Sequence, residues 1–586
     1  MTSDTYDIVI IGGGTAALVL ATRLSEDARV QVVVIECGED RKDDPQILTP
    51  GLWPLLSGSP SDWAFRTVPQ KELGNKELQF PQGRVLGGSS AINSFLFTPT
   101  SRASIDAWAK LGNKGWGFET FNEALKKAYT FHRSPGNTVG NGPIQLAVHK
   151  SEPENTWSKA WIDSLDTLGF PSSDPFSGTV CGPFENPESV DPKRKQRSFS
   201  ANAYLEPALN RANLTVLTNS TVTRILLKKT GPEDVIADGV QITTSDGLSR
   251  AITARKEVIL AAGAINSPRL LELSGIGDAD LLQRLGIEVM VENPHVGENL
   301  QNHVYTGVVF DARDDEKTLD PYFRQEPNAG KAAAEAYAHG TGPLGSSSIV
   351  ASAQLPFPGI QTDKGQQDLD QLLQSLDIEA DLQRSPRTSA SFAAANASVI
   401  RSILSSPTEA SANYVFGPSA LDGSPGNHIT VAVMLSHPLS KGSVHITSAS
   451  PEYLTGNGGL EIDPRYLSHP LDLEVLARHV QFTEQAIGRA EPLARRLKPR
   501  TELFGDLEQA KQYVRLTAEG SHHYTGTCAM MSRDMGGVVD DELRVYGCAN
   551  LRICDASIIP IASRANTQAV VYGIAEMGAQ IVKRNI

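Results

Sequence analysis

The chain has 586 residues, 40% of them hydrophobic and 20% charged, with 53 Lys and Arg against 67 Asp and Glu and a formal net charge of −14. No basic block offsets that charge, so neither nucleic acid nor an anionic membrane surface is an expected partner. The length allows more than one domain's worth of core, and no apolar run approaches the ~20 residues of a membrane helix.

Met1 to Tyr6 carry neither the basic nor the apolar region of a secretory leader, and Lys583 to Ile586 match no retention or peroxisomal signal. A cytoplasmic protein is therefore expected, with bare sequons at Asn213, Asn219 and Asn396. The five cysteines, Cys37, Cys181, Cys528, Cys548 and Cys554, are odd in number and form no Cys-x-x-Cys pair. They are expected to be free thiols in a reducing compartment.

Asp7 to Ile11 form a short β-branched run, the pattern of a strand buried on both faces. Gly12-Gly13-Gly14-Thr15-Ala16-Ala17 follows at once and fits G-x-G-x-x-G/A. Gly12 permits a tight turn, Gly14 lets backbone amides approach a pyrophosphate, and Ala17 allows close packing of the next helix, Leu18 to Leu24. A second strand, Val30 to Ile35, ends at Glu36, near the ~20-residue spacing at which an acid meets a ribose. A carboxylate there favours a free 2′-hydroxyl, hence FAD or NAD over NADP.

Gly83 to Asn93, with Gly87-Gly88-Ser89-Ser90 at its centre, is a second segment suited to close backbone approach, although an ordinary loop would read the same. Glu257 to Gly263 is strand-like. Lys317 to Ser348 and Ser385 to Ser411 each read equally as an entrance loop or a surface helix. Asn427 to Leu435 and Gly442 to Thr447 alternate like strands of an antiparallel sheet, and Leu471 to Ile487 reads as an amphipathic helix. His522-His523 is the only adjacent histidine pair, and Asn566 stands at the cap position of a helix from Thr567 to Met577. No cluster has metal-ligand spacing and no Gly-x-Ser-x-Gly elbow is present, so neither a metal nor a serine nucleophile is expected.

Gly83 to Asp106, Gly263 to Gly277 and Val296 to His303 resemble signature stretches of the glucose–methanol–choline (GMC) oxidoreductases, and the resemblance extends over essentially the whole chain. Two departures stand out: Asn302 where an aspartate is usual, and Thr100 where a small residue is usual. The resemblance implies an α/β fold, with a Rossmann-like FAD-binding domain of parallel sheet and helices plus a substrate domain of antiparallel sheet backed by helices. The first would take residues 1–105, 197–306 and 521–586, the second 106–196 and 307–520.

By the same resemblance, Gly12, Gly14, Thr15 and Ala16 contact FAD through the first turn, and Glu36 holds the adenosine ribose. Ser89, Asn93, Ser94 and Leu96 lie beside the isoalloxazine, and Val222 holds adenine through its backbone. Asp555 and Ala556 follow the ribityl chain and pyrophosphate, with Thr567 and Gln568 also at the cofactor. Ile92 stands where some relatives carry a flavin-linked histidine, so FAD is expected to be non-covalent.

Moving a hydride out of an alcohol requires the hydroxyl proton to leave with it. A neutral imidazole can take that proton, and a second polar group can hydrogen-bond the developing alkoxide. The resemblance gives these roles to His523 and Asn566, although the residues alone favour reading His523 as a buried histidine bonded to a backbone carbonyl. His522 is expected to point away along an extended backbone, Cys528 to pack, and His303, Arg84 and Asp540 to be structural. The expected activity is oxidation of a CH–OH group to a carbonyl by hydride transfer to FAD. A hydrophobic or aromatic primary alcohol is favoured, a natural-product intermediate among them, with dioxygen or another electron acceptor. Two rivals are a GMC-fold lyase or cyclase with structural FAD, and an NAD-dependent dehydrogenase. The oligomeric state is not legible.

Overall fold

The computed structural model describes residues 4–134, 136–149, 153–231, 235–420, 422–450 and 458–586. Its first layer runs, in chain order, through β1 (Thr5–Ile11), α1 (Thr15–Leu24), β2 (Val32–Ile35), β3 (Leu214–Leu217), β4 (Ser220–Lys229), β5 (Val235–Thr244), β6 (Ser249–Leu260), α2 (Gly263–Leu273), β7 (Leu551–Ile553) and α3 (Thr567–Asn585). The strand order is β3-β2-β1-β6-β5-β4, with β7 also paired to β6. Pairing is parallel from β3 to β6 and between β6 and β7. It is antiparallel from β6 through β5 to β4. Ile8 to Ile11 and Val32 to Ile35 are buried throughout, as central parallel strands covered on both faces must be.

The turn after β1 is drawn tight by Gly12, at φ +99°, whose N–H donates to the Ile35 carbonyl at 2.8 Å. A Cβ there would lie 2.6 Å from the Ala261 carbonyl oxygen, so only glycine lets β1 and β6 end side by side. The last helix, α3, packs against α1 and against the helix Phe118–Lys126. Gly573 admits this second contact, since a Cβ would meet the Phe121 ring at 2.5 Å. Trp108, Phe121, Phe131 and Leu146 thereby share one apolar core with Ile10, Leu20 and Ile574. This stretch of the chain was expected with the substrate domain, but its side chains pack on the nucleotide-binding layer.

A second apolar core is built on a six-stranded antiparallel sheet. Its strands follow the order Glu519–Gly520, Val304–Asp311, His428–Leu435, Ala412–Gly417, Ala351–Leu355, Gly182–Glu185. The predicted helix is present as Pro470–Gln485, started by a proline in its first turn and packed on this sheet. Of the two predicted strands, the first joins the sheet. The second, Ser443–Ile446, pairs instead with Leu460–Asp463 as a separate ribbon. The cause is the turn between them: Asp472 accepts the Leu439 and Ser440 amides at 2.8 and 2.7 Å. Gly442 then exchanges backbone hydrogen bonds with Leu300, which carries the chain away from the sheet.

Both undecided stretches contain helices, Pro327–Ala338 and Ala390–Leu404. Each is rich in alanine, the strongest helix former, and Ser389 caps the second through the Phe392 amide. All five cysteines are free. Asn213 is buried and donates to the carbonyls of Ser25, Asp27 and Val30, which leaves no access for a glycan. Among the described residues no helix is long and apolar enough to cross a membrane.

Candidate active site

The two glycine segments lie on each other. Gly87 N–H donates to the Gly13 carbonyl at 2.8 Å, and a Cβ on Gly88, itself at φ +55°, would come within 2.6 Å of the Gly14 Cα. This contact opens a cavity of about 310 Å³ at the N-terminus of α1, a volume in the range of small-molecule and cofactor sites (~300–1,000 Å³). All sixteen residues expected at the cofactor or the chemistry line it. Glu36 is held by the N–H groups of Gly13 at 2.6 Å and Gly38 at 2.8 Å. Burial pushes its carboxyl above the usual range, against the pull of these two amides. Asp555 accepts from Gly263 N–H, Ser267 Oγ and Ser557 N–H, and burial likewise raises its carboxyl. Two exposed glycine backbones, a helix N-terminus and a buried acid at a parallel strand end suit the pyrophosphate and ribose of FAD.

Asn93 links the second glycine segment to the start of α3: its Nδ2 donates to Gln568 Oε1 at 2.8 Å. Arg197, fully buried, donates to Asn93 Oδ1 at 2.7 Å and lies 3.6 Å over the Phe95 ring. Asn566 is the residue before α3, yet its side chain makes no capping hydrogen bond. Its Nδ2 instead lies 3.2 Å from His523 Nε2.

The protonation pattern of His523 follows from its neighbours. His303 Nε2 lies 2.8 Å from the Ser563 carbonyl, which can only accept, so that nitrogen carries the proton and His303 Nδ1 is the acceptor. His303 Nδ1 is 2.9 Å from His523 Nδ1, so His523 Nδ1 donates. Ser521 Oγ spends its hydrogen on the His303 carbonyl at 2.8 Å and therefore accepts from His523 Nδ1 at 3.0 Å. The lone pair of His523 thus sits on Nε2, beside Asn566 and facing the cavity. Asn302 fixes the backbone by accepting the His523 N–H at 2.8 Å while its Nδ2 donates to Tyr466 Oη. An aspartate at position 302 could not make that second donation. Burial, then His303 and His522, hold the His523 pKa well below its ordinary 6.5, and burial holds His303 at about 4.

The N- and C-terminal models of the GMC oxidoreductases match residues 6–305 and 438–575. The chain belongs to the GMC oxidoreductase family. It is similar to the GMC oxidoreductase family protein Mala s 12 of Malassezia sympodialis, with 35% identity over 604 aligned residues that cover 99% of this chain and 93% of the relative. Among solved structures it is similar to an FAD-dependent oxidoreductase from Chaetomium thermophilum, with 26% identity, 99% of both chains covered and a TM-score of 0.88. A fungal aryl-alcohol oxidase gives 26% identity, 100% coverage of both chains and a TM-score of 0.84. This is an FAD flavoprotein oxidoreductase.

Two expectations about this GMC oxidoreductase need correction. His522 does not point away: its φ of +63° breaks the extended alternation, and both histidines line the cavity. His303 does more than fill a structural position, because it sets which nitrogen of His523 bears the proton. The stretch around His303 is conspicuous in the sequence, but nothing there joins position 303 to position 523. Arg197 was missed as well, and no local pattern marks it.

Proposed function

We propose that this GMC oxidoreductase oxidises the CH–OH group of a small, uncharged alcohol to a carbonyl, with His523 as base and Asn566 as the group that orients the alcohol. The observation that carries the reading is the one-way chain from the Ser563 carbonyl through His303 to His523, which turns the basic Nε2 toward Asn566. His523 Nε2 takes the hydroxyl proton, and Asn566 Nδ2 donates to the same oxygen and stabilises negative charge on it. Bound FAD, held by the two glycine segments, Glu36 and Asp555, supplies the hydride acceptor. The N-terminus of α3 favours negative charge at Thr567 and Gln568. Trp53, Trp63 and Val571 in the cavity wall support an aromatic or otherwise hydrophobic primary alcohol, with dioxygen or another electron acceptor completing turnover.

The test is anaerobic mixing of holoenzyme with benzyl alcohol and its ring-substituted analogues. Bleaching of the oxidised flavin band is expected. Product formed while the flavin stays oxidised would replace this reading with that of a lyase. The lowered His523 pKa predicts the pH profile. The neutral ring is the base, so the reduction rate should hold constant from neutrality to well below pH 6.5 and fall as pH drops through the depressed value. An inflection at or above 6.5 would contradict it.

Ile92 lines the cavity and has no atom able to bond covalently to flavin. Acid precipitation of the holoenzyme is therefore expected to leave all of the yellow colour in the supernatant. Colour retained in the pellet would disprove non-covalent binding.

A further inference from the structure

A second imidazole, that of His522, lies in the cavity and has no part in the proton transfer above. Its backbone is left-handed, a conformation that residues bearing a Cβ adopt rarely and that concentrates at functional sites. The ring is held from behind. Nδ1 is 3.0 Å from Tyr524 Oη, and the two rings meet edge-on at 6.2 Å. Tyr524 itself is buried and stacked on Phe80 at 3.6 Å. His522 lines the cavity and is accessible from it, and its Nε2 has no hydrogen-bond partner among the described residues.

The surroundings define what that nitrogen can meet. Trp53, Trp63 and Val571 contribute apolar surface to the wall of the same cavity. The charged side chains that reach the cavity are engaged with the protein: Glu36 and Asp555 with backbone N–H groups, and Arg269 with the Gly458 carbonyl. We infer that His522 is a specificity-determining residue whose Nε2 hydrogen-bonds a second hydroxyl of the substrate, remote from the alcohol that His523 deprotonates. The substrate class is then an uncharged aromatic alcohol with an additional ring hydroxyl. A hydroxyl donates or accepts, so it satisfies either tautomer that Tyr524 leaves to His522. A substrate without that group strips water from Nε2 and offers nothing in return, which costs affinity. The inference rests on the alcohol-oxidising reading of the site.

The test measures anaerobic flavin reduction by benzyl alcohol and by 3- and 4-hydroxybenzyl alcohol in the parent holoenzyme, H522F and H522Q, with FAD content determined for each. The preference for the better hydroxylated isomer over benzyl alcohol is expected to fall at least ~10-fold in H522F. The loss should lie mainly in the apparent dissociation constant and not in the limiting reduction rate. H522Q, which keeps a donor and an acceptor, should recover most of the preference, and using the same alcohols in every enzyme cancels their electronic differences. H522L takes the place of H522F if the latter lacks flavin. A preference within twofold of the parent in the apolar variant overturns the inference and leaves alcohol oxidation intact. A parent whose flavin none of these alcohols bleaches overturns both.

Discussion

His523→Ala is expected to slow flavin reduction by alcohol ~10²-fold or more, the usual loss when a positioned general base is removed. Asn566 would remain, and its carboxamide can donate to the alcohol oxygen, but it has no basic lone pair to accept the proton. His303 cannot substitute, because its Nε2 proton is committed to the Ser563 carbonyl and its Nδ1 faces the vacated position, one ring removed from the cavity. The acid limb of the pH profile should vanish with the ring. FAD content should stay near that of the parent, since Gly12, Gly14, Glu36 and Asp555 are untouched. Equal reduction rates in variant and parent would remove His523 from the mechanism.

Gly88→Ala should act on the cofactor. The added methyl would sit 2.6 Å from the Gly14 Cα at φ +55°, and neither obstacle is a flexible side chain that can swing aside. The second glycine segment must back away from the first, and both line the FAD cavity. We expect the dissociation constant for FAD, titrated into apoprotein by flavin fluorescence, to rise ~10²-fold, about 2.7 kcal/mol. Gly115→Ala separates the two causes, because Gly115 is also left-handed, at φ +87°, but has nothing within 4 Å of its notional Cβ. It carries the backbone strain alone and should leave FAD affinity within threefold of the parent. Unchanged FAD affinity in Gly88→Ala would refute the close-approach argument.

The parts of the site that were legible in the sequence are those whose chemistry needs neighbouring residues. A pyrophosphate cradle is built from consecutive backbone amides, so Gly12 to Ala17 announce it, and an acid at the end of the next strand follows from the geometry of one β-α-β unit. What was not legible depends on long-range contact or on one dihedral angle. The two rings that fix the proton on His523 are 220 positions apart. The inward turn of His522 comes from a left-handed backbone that residue type does not specify. For Ser443–Ile446, alternation identified a strand but not its partner, because Asp472 supplies the turn from another element. The elements between 105 and 146 present apolar faces that suit either core, and only the glycine opening at position 573 in the last helix shows which core received them.

The pairing of β7 with β6, and of α3 with α1, has a consequence for biosynthesis. Asp555, Asn566 and Gln568 join the pocket from far downstream in the chain, whereas Gly12 and Glu36 leave the ribosome more than 500 residues before them. The flavin therefore has no complete berth until β7 and the start of α3 have been made. Translation that stalls before β7 would yield a colourless, exposed half-site, so the yellow colour of a preparation reports that synthesis ran far enough to close the pocket.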